Sequence, residues 1–140
     1  MLVRKKDGTV RISVDYRKLN QIKKKDAPPL PRIDDLFDTL SGSKYFRKLD
    51  CSSGYHQVEV AQADQEKTAF AASFGLFEYK VMPFHLSNAP ATFERLMCLV
   101  FYGLLGTTCL AYLDDIIVFS KTFVDHLAKL EVFKRIQQAH

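Results

Sequence analysis

The chain has no apolar run long enough to span a bilayer and no signal-peptide pattern, so neither a membrane helix nor secretion is expected. Cysteine is scarce: Cys51, Cys98 and Cys109 are the three among 140 residues. Their odd number and lack of metal-type spacing read as reduced thiols in an intracellular protein. Cys98, inside an apolar helical stretch, is expected in the core. The four histidines form no cluster with the cysteines, which excludes a zinc site of the usual pattern. There is no internal repeat and no low-complexity segment. What is present is ordinary for a globular chain, with 47% hydrophobic residues. The length suits one domain, 1–140, burying roughly 70% of its unfolded surface. A net charge of +4 and a pI near 9.0 suit a polyanionic partner without requiring one.

The informative residues are acids. Tyr112-Leu113-Asp114-Asp115 places two adjacent carboxylates between the apolar segments Leu110-Ala111 and Ile116-Ile117-Val118-Phe119. Such a pair carries about two negative charges at neutral pH and is held together by water or a cation. A hard divalent ion such as Mg²⁺ takes oxygen ligands of this kind. An Asp-rich turn at the surface is the competing reading, since Asp favours turns on its own account. A third acid, Asp50, ends the β-prone run Phe46-Arg47-Lys48-Leu49 and is followed by Ser52-Ser53-Gly54. From Gln57 the alternation of Val58, Glu59 and Val60 predicts another strand. Three carboxylates at strand ends suit a two-metal phosphoryl-transfer site.

The rest of the chain reads as short elements. Asp7-Gly8 is a two-residue hairpin signal. If it closes the turn, Lys6 pairs with Thr9, Lys5 with Val10 and Arg4 with Arg11, which puts Arg4, Lys6 and Arg11 on one cationic face. Lys23-Lys24-Lys25 is a charge run, either solvated or facing phosphate. Ala27-Pro28-Pro29-Leu30-Pro31 is extended. Ile33, Leu36, Phe37 and Leu40 predict a helix closed by Ser41-Gly42. Residues Thr68 to Val81 predict two strands about Phe74-Gly75, and 82–88 a loop. A helix follows, with Pro90 in its first turn and Phe93, Met97, Val100, Phe101 and Leu104 on one face, ended by Gly106-Thr107-Thr108. Cys109–Ser120 form the hairpin bearing the acid pair. Thr122 caps a last helix with Asp125 three residues on, and Phe123, Leu127, Leu130 and Ile136 are its expected apolar face.

Taken in order, Leu2–Asn20, Pro31–Leu40, Lys44–Val60, Lys67–Phe70, Val81–Met97 and Tyr112–Lys121, then His126-Leu127, resemble the reverse transcriptase domain of retroelements, most closely that of gypsy-class LTR retrotransposons. The resemblance spans nearly the whole chain. It implies an α+β fold: a polymerase palm with a small antiparallel sheet backed by helices, plus a fingers β-hairpin region. It implies RNA-directed DNA polymerase activity with two Mg²⁺ ions, for which Mn²⁺ can substitute. Asp50, Asp114 and Asp115 would be the catalytic acids. Asp50 and Asp114 would bind both ions, Asp115 would support them, and the Cys51 carbonyl would add a ligand. Tyr55 would pack beneath the incoming sugar and exclude a 2′-hydroxyl. Arg11 with Lys5 or Lys6 would grip the triphosphate, Lys6 being favoured by the pairing above, and Phe84 and His85 would line the dNTP site. Asp15, Arg17, Asn88 and Pro90 correspond to positions near the template strand.

The implied partners are an RNA or DNA template with its primer, dNTP, and the rest of a polyprotein comprising thumb, connection and ribonuclease H. The abrupt start and the end at His140 fit a fragment of such a polyprotein. An intracellular location is expected, in a cytoplasmic particle or the nucleus. The sequence departs from the family pattern at His85, where Gly is usual, at Val10, where Trp is usual, and at Glu94, where Gln is common. Gly at the first of these lets backbone approach a ligand closely. A non-catalytic remnant that keeps template or protein contacts is the alternative reading.

Overall fold

The structure is a computed structural model. It describes residues 2–4, 8, 10–25, 32–51, 53–113 and 115–138, with backbone alone for 2–4, 10–12, 132 and 135–138. In chain order the elements are β1 (Leu2–Arg4), β2 (Val10–Ile12), α1 (Arg17–Ile22), α2 (Ile33–Leu40), β3 (Tyr45–Asp50), α3 (Gln62–Gln65), β4 (Phe70–Ala72), β5 (Gly75–Phe77), α4 (Ala89–Val100), β6 (Cys109–Tyr112), β7 (Asp115–Ser120) and α5 (Phe123–Gln138). Single 3₁₀ turns occupy Gly54–Gln57 and Glu66–Thr68. The mixture of helices with small antiparallel sheets is the α+β architecture expected. The chain forms two compact units, Met1–Ala27 with Ser53–Phe93, and Pro28–Ser52 with Glu94–His140.

The first unit holds the β1–β2 and β4–β5 hairpins. In β1–β2, Arg4 lies opposite Val10 and Val3 opposite Arg11, one residue away from the expected register. Five residues, 5–9, therefore join the strands, and Gly8 takes φ +82. An odd-numbered connection with a left-handed glycine shifts the register by one relative to a two-residue turn. Arg4 therefore does not pair with Arg11, and the pairing that favoured Lys6 over Lys5 is not formed. Lys5, Lys6 and Asp7 lie outside the described residues, as does the proline segment 27–31. The β4–β5 hairpin matches expectation, with Phe70 opposite Phe77 and Ala72 opposite Gly75. The strand predicted from Gln57 is instead a single bridge, Glu59 to Val81. Gly54–Gln57 wind into a 3₁₀ turn entered through Ser53 at φ +52, which consumes the residues a longer strand would need.

The unit's core gathers Tyr16, Thr68, Met82, Pro83, Ala89, Ala91 and Phe93. Tyr16 is buried, and its hydroxyl donates to Thr68 O at 2.9 Å. Burial pushes that phenol up to about 12. Lys23, Lys24 and Lys25 are exposed after the end of α1.

The second unit is built on a three-stranded antiparallel sheet in the order β3-β7-β6. Ile116, Val118 and Phe119 of β7 and Cys109 and Leu110 of β6 are buried, as an apolar central strand and its neighbour require. Helix α2 has the bounds the periodicity predicts and closes at Ser41 and Gly42, the latter at φ +75, where glycine avoids a Cβ clash. Ile33, Leu36, Phe37 and Leu40 line an apolar groove with Leu110, Tyr112 and Ile117.

Three expectations fail here. Helix α4 ends at Val100, which is 45% exposed, and turns fill 101–108 apart from Leu105, which bridges to Cys109; Met97 and Phe101 are buried. Cys98 is exposed and Cys109 is the fully buried thiol, because Cys98 lies one residue, about 100°, around the helix from Met97. In α5, Thr122 caps as predicted, its hydroxyl accepting from the Asp125 amide at 3.3 Å. Its inner face, however, is His126, Lys129, Leu130 and Phe133, while Phe123 and Leu127 are more than half exposed. Two polar residues on that face hid it from an apolar count. His126 Nδ1 lies 3.4 Å from Ser120 Oγ, and Lys129 Nζ donates to Thr107 O at 3.0 Å and Phe119 O at 3.1 Å. Phe133 stacks on Phe101 with centroids 5.4 Å apart. The side chain of Ile136 lies outside the description.

Candidate functional site

The acids are assembled by strand register in the second unit. Asp50, the last residue of β3, lies directly opposite Asp115, the first residue of β7, and Tyr112 of β6 lies opposite Asp115 on its other side. The β6–β7 connection is therefore two residues, Leu113 and Asp114. Leu113 has φ +55, the sign that such hairpin turns require at their first position and that glycine or asparagine usually fills. A leucine held there marks a turn kept despite roughly 1–2 kcal/mol of steric cost. Asp114 itself lies outside the described residues.

Directly opposed residues share a sheet face with Cβ atoms about 4.5–5.5 Å apart, so two carboxylates there repel. Lys48, two residues before Asp50, shares that face by strand alternation. Its Nζ lies 2.8 Å from Asp115 Oδ2, a diagonal contact across the strand pair. Both side chains are partly open to solvent (63% and 41%), which limits the pair to at most about 1 kcal/mol. The sequence signal for Lys48 is its spacing of two residues from Asp50 in a β-prone run. Opposed carboxylate oxygens at two strand ends, reachable from solvent, are the donor set a hard divalent cation takes. Among the described residues no group of three or more His, Cys, Asp or Glu could hold a metal ion, so the described acids are a pair. Cys51 follows Asp50 and is half-buried.

The expected nucleotide residues all belong to the first unit. Tyr55 stands on the 3₁₀ turn, its ring against Phe84 (5.4 Å) and edge-on to the fully buried Phe93 (5.3 Å). His56 packs edge-on against Phe84 at 4.9 Å. The ring is thus gripped by two aromatic neighbours, which suits a rigid steric wall. Arg11 is placed on β2 by its backbone. His85 has φ +71, so the position where the family pattern has Gly is one where glycine would be unstrained. Its ring Nδ1 lies 3.4 Å from Ser13 Oγ.

Asp15 and Arg17 are paired with each other: Arg17 Nη2 and Nε lie 2.6 and 3.0 Å from Asp15 Oδ2, and the Arg17 amide donates to Asp15 Oδ1 at 3.0 Å. The hydrogen bonds from Arg17 hold the Asp15 carboxyl down at about 2. Asn88 Nδ2 donates to Lys24 O at 3.0 Å, and Pro90 stands in the first turn of α4, where its missing N–H costs nothing. Glu94 is buried with Oε2 unpartnered.

The chain matches the profile of "Reverse transcriptase (RNA-dependent DNA polymerase)" over residues 3–140. It is 43% identical over 131 residues to the retrovirus-related Pol polyprotein from transposon 297 of Drosophila melanogaster, covering 93% of this chain and 12% of that protein. It is 41% identical over 133 residues to an RNA-directed DNA polymerase homolog of Oenothera berteroana, covering 93% of this chain and 94% of that one. It is 38% identical to the transposon Tf2-3 polyprotein of Schizosaccharomyces pombe, over 100% of this chain and 11% of the polyprotein. The fold is similar to that of the prototype foamy virus protease-reverse transcriptase, with TM-score 0.86 and 23% identity over 99% of this chain and 18% of that one. A structure of the foamy viral enzyme in complex with double-stranded DNA gives TM-score 0.86 and 25% identity, over 99% of this chain and 24% of that one. The chain thus spans a small part of these polyproteins and nearly all of the Oenothera protein, and over residues 3–140 it belongs to the reverse transcriptase (RNA-dependent DNA polymerase) family carried by retrotransposon polyproteins.

Proposed function

We propose that this chain is the fingers–palm part, as one domain, of a gypsy-class LTR retrotransposon polymerase that extends a primer on an RNA or DNA template with dNTP. The observation that carries the reading is the direct opposition of Asp50 and Asp115 across β3–β7, beside the two-residue turn that includes Asp114. Asp50 and Asp114, with the Cys51 carbonyl, would hold two Mg²⁺ or Mn²⁺ ions, and Asp115 would support them. When bound, such ions activate the primer 3′-hydroxyl and neutralise the leaving pyrophosphate. The chain's own residues then orient and select. Arg11 with Lys5 or Lys6 would neutralise the triphosphate, Tyr55 would reject a 2′-hydroxyl, and Phe84 and His85 would line the nucleotide. Asp15, Arg17, Asn88 and Pro90 would lie along the template. Nucleic-acid complexes of the similar foamy viral enzyme, with double-stranded DNA and with RNA/DNA hybrid, support these partners. Thumb, connection and ribonuclease H would come from the same polyprotein, working inside the cell in a cytoplasmic particle or the nucleus.

The test is primer extension by this chain joined to the thumb of a relative. Asp50→Asn and Asp114→Asn should each abolish synthesis while leaving the circular-dichroism spectrum and melting temperature near those of the parent. An Asp114→Asn protein that extends primers at the parent's rate would overturn the assignment.

A further inference from the structure

Loop 82–88 of the first unit carries a strained residue and a clamp that holds it. His85 is at φ +71, a left-handed backbone that costs a non-glycine residue roughly 1–2 kcal/mol. Such a conformation persists only when its surroundings determine it. The surroundings are on α1. Asn20 Nδ2 donates to the His85 carbonyl at 2.8 Å, and Asn20 Oδ1 accepts from the Ser87 amide at 2.9 Å. One carboxamide thus satisfies a C=O and an N–H two residues apart, as a peptide group of a neighbouring strand would.

No other side chain of that length does both. Asp can accept from Ser87 but has no donor for His85, and Ala offers neither. The platform is firm. The Asn20 amide bonds Tyr16 O at 2.8 Å, and the Tyr16 hydroxyl is anchored on Thr68 O in the core. Asn88 to Lys24 O fastens the far end of the same loop.

We propose that Asn20 is a positioning residue for nucleotide binding: its carboxamide holds the backbone of residues 85–87 in the geometry that a glycine would adopt unaided. Through His85 it sets the path of the loop that also carries Phe84. The proposal rests on the reading of this loop as nucleotide-facing, and its two readouts separate the two claims.

The first readout is hydrogen exchange in the 140-residue chain. Asn20→Ala should speed exchange of the Ser87 amide by about fivefold to tenfold, the loss of one hydrogen bond, while the Thr92 amide of α4 keeps its rate. Asn20→Asp should keep Ser87 protected, because its acceptor remains. Unchanged Ser87 exchange in Asn20→Ala would overturn the proposal.

The second readout is equilibrium binding of dTTP with Mg²⁺ and a primer–template hairpin. Asn20→Ala and Asn20→Asp should both weaken it by about fivefold or more, the loss of a bond to the His85 carbonyl. Adding His85→Gly should restore affinity in either background, since glycine reaches φ +71 without steric cost and so depends less on the clamp. A structural defect elsewhere would not be repaired by that change, so failure of the rescue after weakened binding also overturns the proposal. If Ser87 loses protection as expected while dTTP affinity does not move, the clamp stands and the nucleotide reading of the loop, with Asn20's role in it, falls.

Discussion

Lys48 reaches diagonally across the β3–β7 pair to Asp115, Nζ to Oδ2 2.8 Å, while Asp50 on the same strand as Lys48 lies directly opposite Asp115. A cation is thus already part of the acid pair. It offsets the repulsion that direct opposition of two carboxylates creates. It also competes with any metal ion for the Asp115 oxygens. Lys48→Met should therefore lower the unfolding free energy by no more than about 1 kcal/mol at low salt, with the difference shrinking in 1 M NaCl. The same change should tighten Mn²⁺ binding, read by electron paramagnetic resonance of the free ion. Weaker Mn²⁺ binding would mean that Lys48 orients Asp115 for the metal instead of competing with it.

Tyr55 is wedged between Phe84 and the buried Phe93. In the chain joined to a thumb, Tyr55→Ala should raise the efficiency of ribonucleotide incorporation relative to dNTP by at least tenfold, about 1.4 kcal/mol of discrimination. Tyr55→Phe keeps the ring and its contacts, so it should retain the parent preference. Primer extension with matched dNTP and rNTP series measures both. A preference unchanged in the alanine variant would show that Tyr55 does not exclude the 2′-hydroxyl.

The Asp15 carboxyl is held at about 2, below its ordinary 3.8, chiefly by the Arg17 side chain and then by the Arg17 amide. A depressed carboxyl contributes stability above about pH 4, and that contribution disappears as pH falls through about 2. Both groups are open to solvent, so the titration itself is the readout. Carbon-detected NMR should place the Asp15 midpoint near 2 in the parent. Arg17→Met should move it back most of the way toward 3.8. An unshifted parent midpoint would show that the pair does not form in solution.

The thiols should separate cleanly. Cys109 is fully buried, and burial pushes it up to about 11, so the reactive thiolate is both scarce and inaccessible. Cys98 is exposed on α4. Iodoacetamide on the native chain followed by mass spectrometry should label Cys98 first and leave Cys109 unmodified until denaturant is added. Early labelling of Cys109 would contradict the packing of β6.

Much of this protein was legible in one dimension where local rules coincide with the fold. The bounds of α2 follow from four apolar residues at helical spacing and a closing Ser-Gly. The β6–β7 hairpin follows from apolar runs flanking a polar turn, and the Asp50–Asp115 meeting was implied by acids at strand ends. The ordered motifs identify the family by themselves.

Register, rotation and long-range pairing came from three-dimensional packing. The β1–β2 register moved by one residue because the parity of a connection cannot be read from Asp-Gly alone. The inner face of α5 includes His126 and Lys129, since Ser120 and two carbonyls satisfy them, and no count of apolar residues can foresee such partners. The burial of Cys109 instead of Cys98 turned on one helical step. The clamp of Asn20 on His85 and Ser87 joins residues 65 and 67 positions apart, a distance over which spacing carries no signal. Sequence determined which functional groups this chain carries and in what order; packing determined which neighbours hold each group in place, because hydrogen bonds and strand pairs are satisfied by whatever the fold brings near.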